Sequence, residues 1–119
     1  MMGINVRMGS GIDYAGLIVT GRKVLETRAT DSLRPYIGKR VAIVRTGSGP
    51  ARAIGSVRIV GAVRVSAERF RELESLHCVP AGNAYDTPTG GKWCYQLADP
   101  IAYRRTRPVA HGIVARRVL

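Results

Sequence analysis

The sequence predicts an α+β domain on three observations. Short apolar segments with two-residue alternation recur along the chain, a brief helix-like segment stands near its start, and one capped helix stands in its middle. Nothing repeats, no tract is of low complexity and no shift in composition marks a boundary, so residues 1–119 are expected to form a single domain. At 119 residues, 45% of them hydrophobic, the chain can bury one modest core without a disulfide or a metal.

Residues 1–13 are rich in Gly and Met and carry little periodicity; Gly9 to Asp13 reads as a turn whose Asp13 caps the next segment. Tyr14 to Thr20 supplies a short helix broken by Gly21, which delivers Lys23 to the mouth of a strand over Val24 to Arg28. Residues 29–40 are a polar loop around Pro35. Val41, Ile43 and Arg45 then alternate with Ala42, Val44 and Thr46 as a strand, ended by Gly47-Ser48-Gly49-Pro50. Residues 53–66 set Val57, Ile59, Val63 and Val65 on one parity against Ser56, Arg58 and Arg64 on the other, a long strand or a hairpin kinked near Gly61 with one apolar and one basic face.

Ser66 opens the best helix, Ser66 to Leu76, with Phe70, Leu73 and Leu76 as its buried stripe. Residues 77–91, with Pro80, Gly82, Asn83, Pro88, Gly90 and Gly91, make a loop longer than ordinary connections, and such loops often carry function. Trp93 to Leu97 returns to strand, Asp99-Pro100 turns, Ile101 to Arg105 is another strand, and His111 to Leu119 closes the sheet.

Charge is the loudest compositional fact. Nineteen Lys and Arg oppose eight Asp and Glu, a net charge of +11, and sixteen of the nineteen cations are Arg. Such an excess favours a polyanionic partner, and guanidinium groups offer paired bonds to phosphate and stack on bases. No amphipathic basic helix is present to lie on a membrane, and no apolar run approaches the roughly 20 residues a span needs. Two cysteines and the absence of a secretory leader pattern suit a cytoplasmic chain. His77, Cys78, Cys94 and His111 are zinc-ligand types, but their spacing lacks a C-x-x-C pair, so neither metal nor other cofactor is expected.

Gly16 to Arg28 concentrates the chemistry. In an extended Val24 to Arg28, residues two apart share a face, so Glu26 and Arg28 project together with Cα atoms roughly 6.5 to 7 Å apart. A carboxylate oriented by a guanidinium and by Lys23 leaves donors for a phosphate, a carbonyl or a base edge. The same spacing also fits an ordinary exposed ion pair, worth about 0 to 1 kcal/mol.

Gly21-Arg22-Lys23-Val24-Leu25-Glu26-Thr27-Arg28 resembles the G-x-K-x-x-E-x-R core of the ASCH domain, a branch of the PUA-like superfamily. The likeness extends over Pro35 to Val44, Ala53 to Val65 and Lys92 to Pro100. It implies a small curved or closed β-barrel with two short helices, and a pocket near Lys23, Glu26 and Arg28 that binds RNA or a nucleotide. Part of that family, the small N4-acetylcytidine amidohydrolases, is similar over Gly21-Arg22-Lys23 and Arg28. The group uses the lysine, a threonine three residues later and a downstream glutamate. Here Glu26 stands at the threonine position, Thr27 would face away, and Glu68, Glu72 and Glu74 offer no clear equivalent of the glutamate.

The expected site therefore has two forms. As a binding site, Lys23 and Arg28 hold phosphate or a base carbonyl and Glu26 accepts from an exocyclic amine. Arg45, Arg58, Arg64, Arg104, Arg105 and Arg116 attract the backbone, and Trp93 and Tyr95 stack on bases or else lie in the core. Single-stranded RNA suits a pocketed barrel better than duplex DNA does. As an enzyme, an amidohydrolase or a ribonuclease, the site would use Lys23 and Glu26 as its acid/base pair.

Overall fold

In the computed structural model, which describes residues 1–86 and 90–119, the N-terminal residues form a strand that their composition conceals, β1 (Met2–Arg7). Ile4 and Val6 are buried to 0% and 3% exposure, an alternation too brief to stand out among Met and Gly. Gly3 is needed there, since a Cβ would lie 2.7 Å from Val44 Cγ2. β1 runs parallel to β3 (Arg40–Thr46), with Gly3 opposite Ala42 and Arg7 opposite Thr46. Parallel neighbours need a long crossover, and α1 (Tyr14–Val19) and β2 (Leu25–Arg28) lie within it.

β4 (Arg52–Ser66), β5 (Gly91–Arg107) and β6 (Ala115–Arg117) complete a six-stranded mixed sheet in the order β2-β5-β4-β3-β1-β6. The closed barrel is not formed: β2 and β6 stand at opposite ends of that order, and no ladder joins them among the described residues. β2 has four residues, and β6 has three that cover β1 only from Met2 to Ile4. Beyond that cover, Arg28 Nη2 donates to the Asn5 carbonyl at 2.6 Å. The two sides of the sheet thus meet through a side chain where a barrel would have backbone pairing.

Val41 and Ile43 join the main core under α1 and the mid-chain helices, while Ala42 and Val44 face the other way. That second face is covered by Tyr103, Val109 and Val118, so β3 is buried on both sides. β4 carries an extra residue between Ile59 and Gly61, which shifts its parity: Ala62 packs against the core, and Val63, expected inside, is 47% exposed.

The expected helix over 66–76 is two helices, α2 (Ala67–Glu72) and α3 (Glu74–His77), divided at Leu73. Ser66 caps it as expected, its Oγ accepting from the Arg69 amide at 3.1 Å. The break turns Leu76 outward at 40% exposure and brings His77 inward, its ring stacked on Phe70 at 4.0 Å. Asp99-Pro100 does not end a strand either. Ser56 faces Ile101 and Arg58 faces Ala98, so β5 absorbs an extra residue as a bulge, with Asp99 at φ 53°. The loop after α3 is present, although its Pro88 lies outside the described residues. No helix among the described residues is long and apolar enough to cross a membrane.

α1 approaches β4 at Gly55, where an added Cβ would meet Ile101 O at 2.2 Å and Val19 Cγ1 at 2.5 Å. Gly55→Ala is expected to lower stability by about 2 kcal/mol or more, because a backbone oxygen must move. Urea denaturation measures it, and an unchanged midpoint would refute the tight approach.

Candidate functional site

Lys23 is placed by the end of α1. Gly21 takes φ 82°, and the Leu17 carbonyl accepts from both the Arg22 and Lys23 amides at 2.9 Å. The Val24 amide then donates to Leu76 O at 2.9 Å, locking the turn against α3. The Lys23 side chain runs inward rather than into solvent, and the residue is 2% exposed. Its Nζ donates to the His77 carbonyl at 2.6 Å and stands 3.7 Å from Glu26 Oε1. Burial lowers the pKa of Lys23, and the Glu26 carboxylate opposes that shift.

Glu26 Oε1 accepts from the Thr27 amide at 3.1 Å, and Oε2 accepts from Arg28 Nε at 3.1 Å and Nη2 at 2.8 Å. Arg28 continues to Asn5 O, and Asn5 Oδ1 accepts from Arg116 Nε at 2.9 Å. A chain of polar contacts therefore runs from Lys23 through Glu26, Arg28 and Asn5 to Arg116, from one end of the sheet to the other.

This chain forms one wall of a cavity of about 470 Å³, within the range of small-ligand sites, which Arg7, Tyr14, Val79, Tyr85 and Lys92 also line. Two of its groups stand apart from these internal contacts among the described residues. The buried Tyr14 hydroxyl has no hydrogen-bond partner among the described residues, and burial pushes its pKa up to about 12. Lys92 is 9% exposed and makes no hydrogen bond or ion pair among the described residues; its ammonium lies 5.9 Å from the centre of the Phe70 ring. Burial lowers its pKa as well.

Of the expected residues, the fold brings Lys23, Glu26, Arg28 and Arg116 together. Arg45 is instead paired with Asp13, at 2.6 Å and 3.1 Å, where Asp13 caps α1. Arg58 faces Asp99 at 3.4 Å, and Arg64, Arg104 and Arg105 are exposed away from the cavity. Trp93 is half-buried with Arg34 over its ring at 5.7 Å. Tyr95 is a core residue with no face for a base: it is 0% exposed, its hydroxyl donating to Asp31 Oδ1 at 2.6 Å and accepting from the Leu33 amide at 3.2 Å.

Glu72 and Glu74 pair with Arg69 and Arg71, and Glu26 is the one carboxylate among the described lining residues. Thr27 adjoins the cavity between Glu26 and Arg28, its amide donating to Glu26 Oε1. Sequence reasoning missed Tyr14 and Lys92. For Lys92 a signal existed, because it shares strand parity with Cys94, which is 0% exposed.

The architecture has solved counterparts in an ASCH protein from Zymomonas mobilis. A serine-to-alanine mutant of it matches with a TM-score of 0.68 and 19% identity, over 86% of this chain and 71% of that one. The ASCH protein itself gives 0.64 and 18% over 84% and 69%, and a tyrosine-to-phenylalanine mutant 0.60 and 21% over 86% and 73%. The fold is of the ASCH type. No family model and no curated protein matches the sequence. At these identities the likeness establishes the ASCH-type fold, and the roles of the cavity residues rest on their own geometry.

The buried charges lead to two expected outcomes. Glu26→Gln leaves Lys23 and Arg28 without their counter-charge and is expected to cost about 3 kcal/mol, read from chemical denaturation; a change near zero would mean solvent already screens the cluster. His77 accepts from the Val79 amide at Nδ1 (2.9 Å) and donates from Nε2 to Phe70 O (2.6 Å), and burial lowers its pKa below the ordinary 6.5. The unfolded chain therefore takes up this proton first as pH falls. Stability should be fully present above about pH 6.5 and decline below it, and His77→Gln should lack that component of the slope.

Proposed function

We propose that the cavity binds RNA, or a nucleotide derived from it, through phosphate or a base carbonyl. One observation carries this: among the described lining residues Arg7, Lys23, Arg28, Lys92 and Arg116 face a single carboxylate whose oxygens are already engaged. A cavity so lined favours an anion. The net charge of +11 adds long-range attraction, supported by Arg64, Arg104 and Arg105 on the exposed strands. Because Glu26 is saturated, we assign it to positioning Lys23 and Arg28 rather than to a base amine; ligand contacts fall to Arg28, Lys92 and Arg116. A single strand is the preferred partner, since only an unpaired nucleotide can enter a cavity of this size.

Titration of a single-stranded RNA oligonucleotide across salt concentrations tests this. Arg116→Ala is expected to weaken binding about tenfold at every salt concentration, whereas Arg104→Ala with Arg105→Ala should chiefly flatten the salt dependence, by about 0.7 in log–log slope per lost contact. Unchanged affinity in Arg116→Ala would remove the cavity from RNA binding.

A hydrolase reading, on acylated cytidine or on RNA, is favoured by the lowered pKa of Lys23 and by its 3.7 Å approach to Glu26. Chromatography of N4-acetylcytidine incubated with the protein decides it. Turnover that is lost in Glu26→Gln with RNA affinity intact supports this reading, and absence of product removes the amidohydrolase form.

A further inference from the structure

We infer that Lys92 is a nucleophilic amine of the cavity, which captures a small phosphorylated aldehyde as an imine. The chain has sixteen arginines and three lysines, Lys23, Lys39 and Lys92. Lys39 is exposed, and the other two are buried against this cavity. Elsewhere the chain meets its need for a fixed cation almost entirely with Arg. Arginine cannot give up its proton in a protein, whereas a buried lysine can, and only a neutral amine attacks a carbonyl.

The two buried lysines differ in what they are free to do. Lys23 is engaged by His77 O and Glu26, and its side chain is 1% exposed. Lys92 has no such partner among the described residues. Of its surroundings, burial and the Arg28 charge favour the neutral amine, while Glu26, Cys94 and Asp86 oppose it. Phosphate on the ligand is indicated by Arg7, Arg28 and Arg116 on the same cavity wall. Tyr14, whose hydroxyl is unpaired among the described residues, offers a donor for the carbonyl oxygen.

The step balances without a redox partner. The Lys92 nitrogen lone pair attacks the aldehyde carbon, a C–N bond forms, and the carbonyl oxygen takes up a proton as the nitrogen loses one. The C–O bond then breaks as the nitrogen gives up its second proton, and that oxygen leaves as water to form the imine. The aldehyde can be a free phosphorylated molecule or the opened sugar of an abasic site within a strand; the chemistry is shared. The inference does not require RNA binding, because it rests on Lys92 and the cavity alone.

The test maps adducts on the whole chain. The protein is incubated with pyridoxal 5′-phosphate, or with pyridoxal, under cyanoborohydride at pH 7, digested, and its three lysines and N-terminus are compared by mass spectrometry. Expected is an adduct at Lys92 that forms faster than at the exposed Lys39, because the buried amine is more readily neutral. It should also form faster with the phosphorylated probe. A single-stranded oligonucleotide carrying an abasic site forms the second arm. Cross-linking through Lys92 there assigns the aldehyde to nucleic acid, and adducts with the small probe alone assign it to a free molecule. Lys92→Arg, checked for folding by circular dichroism, should abolish both. Labelling of Lys39 as fast as Lys92, or an unlabelled Lys92 with both probes, overturns the inference. Intact labelling with no RNA affinity would overturn only the binding proposal.

Discussion

The carboxylate of Glu26 is the constraint on which the rest depends. It is 6% exposed and stands between two cations, one of them 2% exposed. Moving such charges out of water costs several kcal/mol per ion, and only close, multiply bonded partners offset it. Glu26 has them in the Thr27 amide, in two nitrogens of Arg28 and in the nearby ammonium of Lys23. The cluster therefore does little for net stability, but it fixes position. Through Lys23 it holds the C-terminal end of α3, and through Arg28 it holds β1.

The open sheet results from the same contacts. A ladder between β2 and β1 would bring backbones to about 5 Å and leave no room for a guanidinium between them. With Arg28 spanning the gap to Asn5 at 2.6 Å, the strands remain a side chain apart and the cavity occupies the space. The site is thus the part of the barrel that was not closed, and its walls are the two sides of the same sheet.

Local signals were legible in the sequence where they had no competitor. Asp13 before Tyr14, Gly21 after it, Ser66 before α2 and the alternation of Val41 to Thr46 each act within a few residues, and each appears in the fold. The opaque features depend on distant partners. β1 became a strand because β3 and β6 offered it pairing on both sides, which residues 2–7 alone do not announce. Asp99-Pro100 reads as a turn, yet β4 continues alongside and turns the irregularity into a bulge. Lys23, Glu26 and Arg28 were legible as a group because two-residue spacing puts the last two on one face. That Arg45 serves Asp13, or that Tyr95 serves Asp31 and Leu33, depends on which segment packs opposite.

Satisfaction of polar groups separates structure from chemistry in this cavity. Every oxygen of Glu26 and the ammonium of Lys23 are engaged within the protein, so a ligand could use them only by breaking bonds that also hold β1, β2 and α3 in place. Among the described residues Tyr14 and Lys92 carry no such duty: an unpaired buried hydroxyl costs about 1 to 3 kcal/mol and is rarely kept without a use. The motif residues most visible in the sequence thus build the wall, and the groups left free to act on a ligand are ones that no motif names. Arg28 and Arg116 stand between these roles, because a guanidinium has five N–H donors and the internal contacts use only some of them.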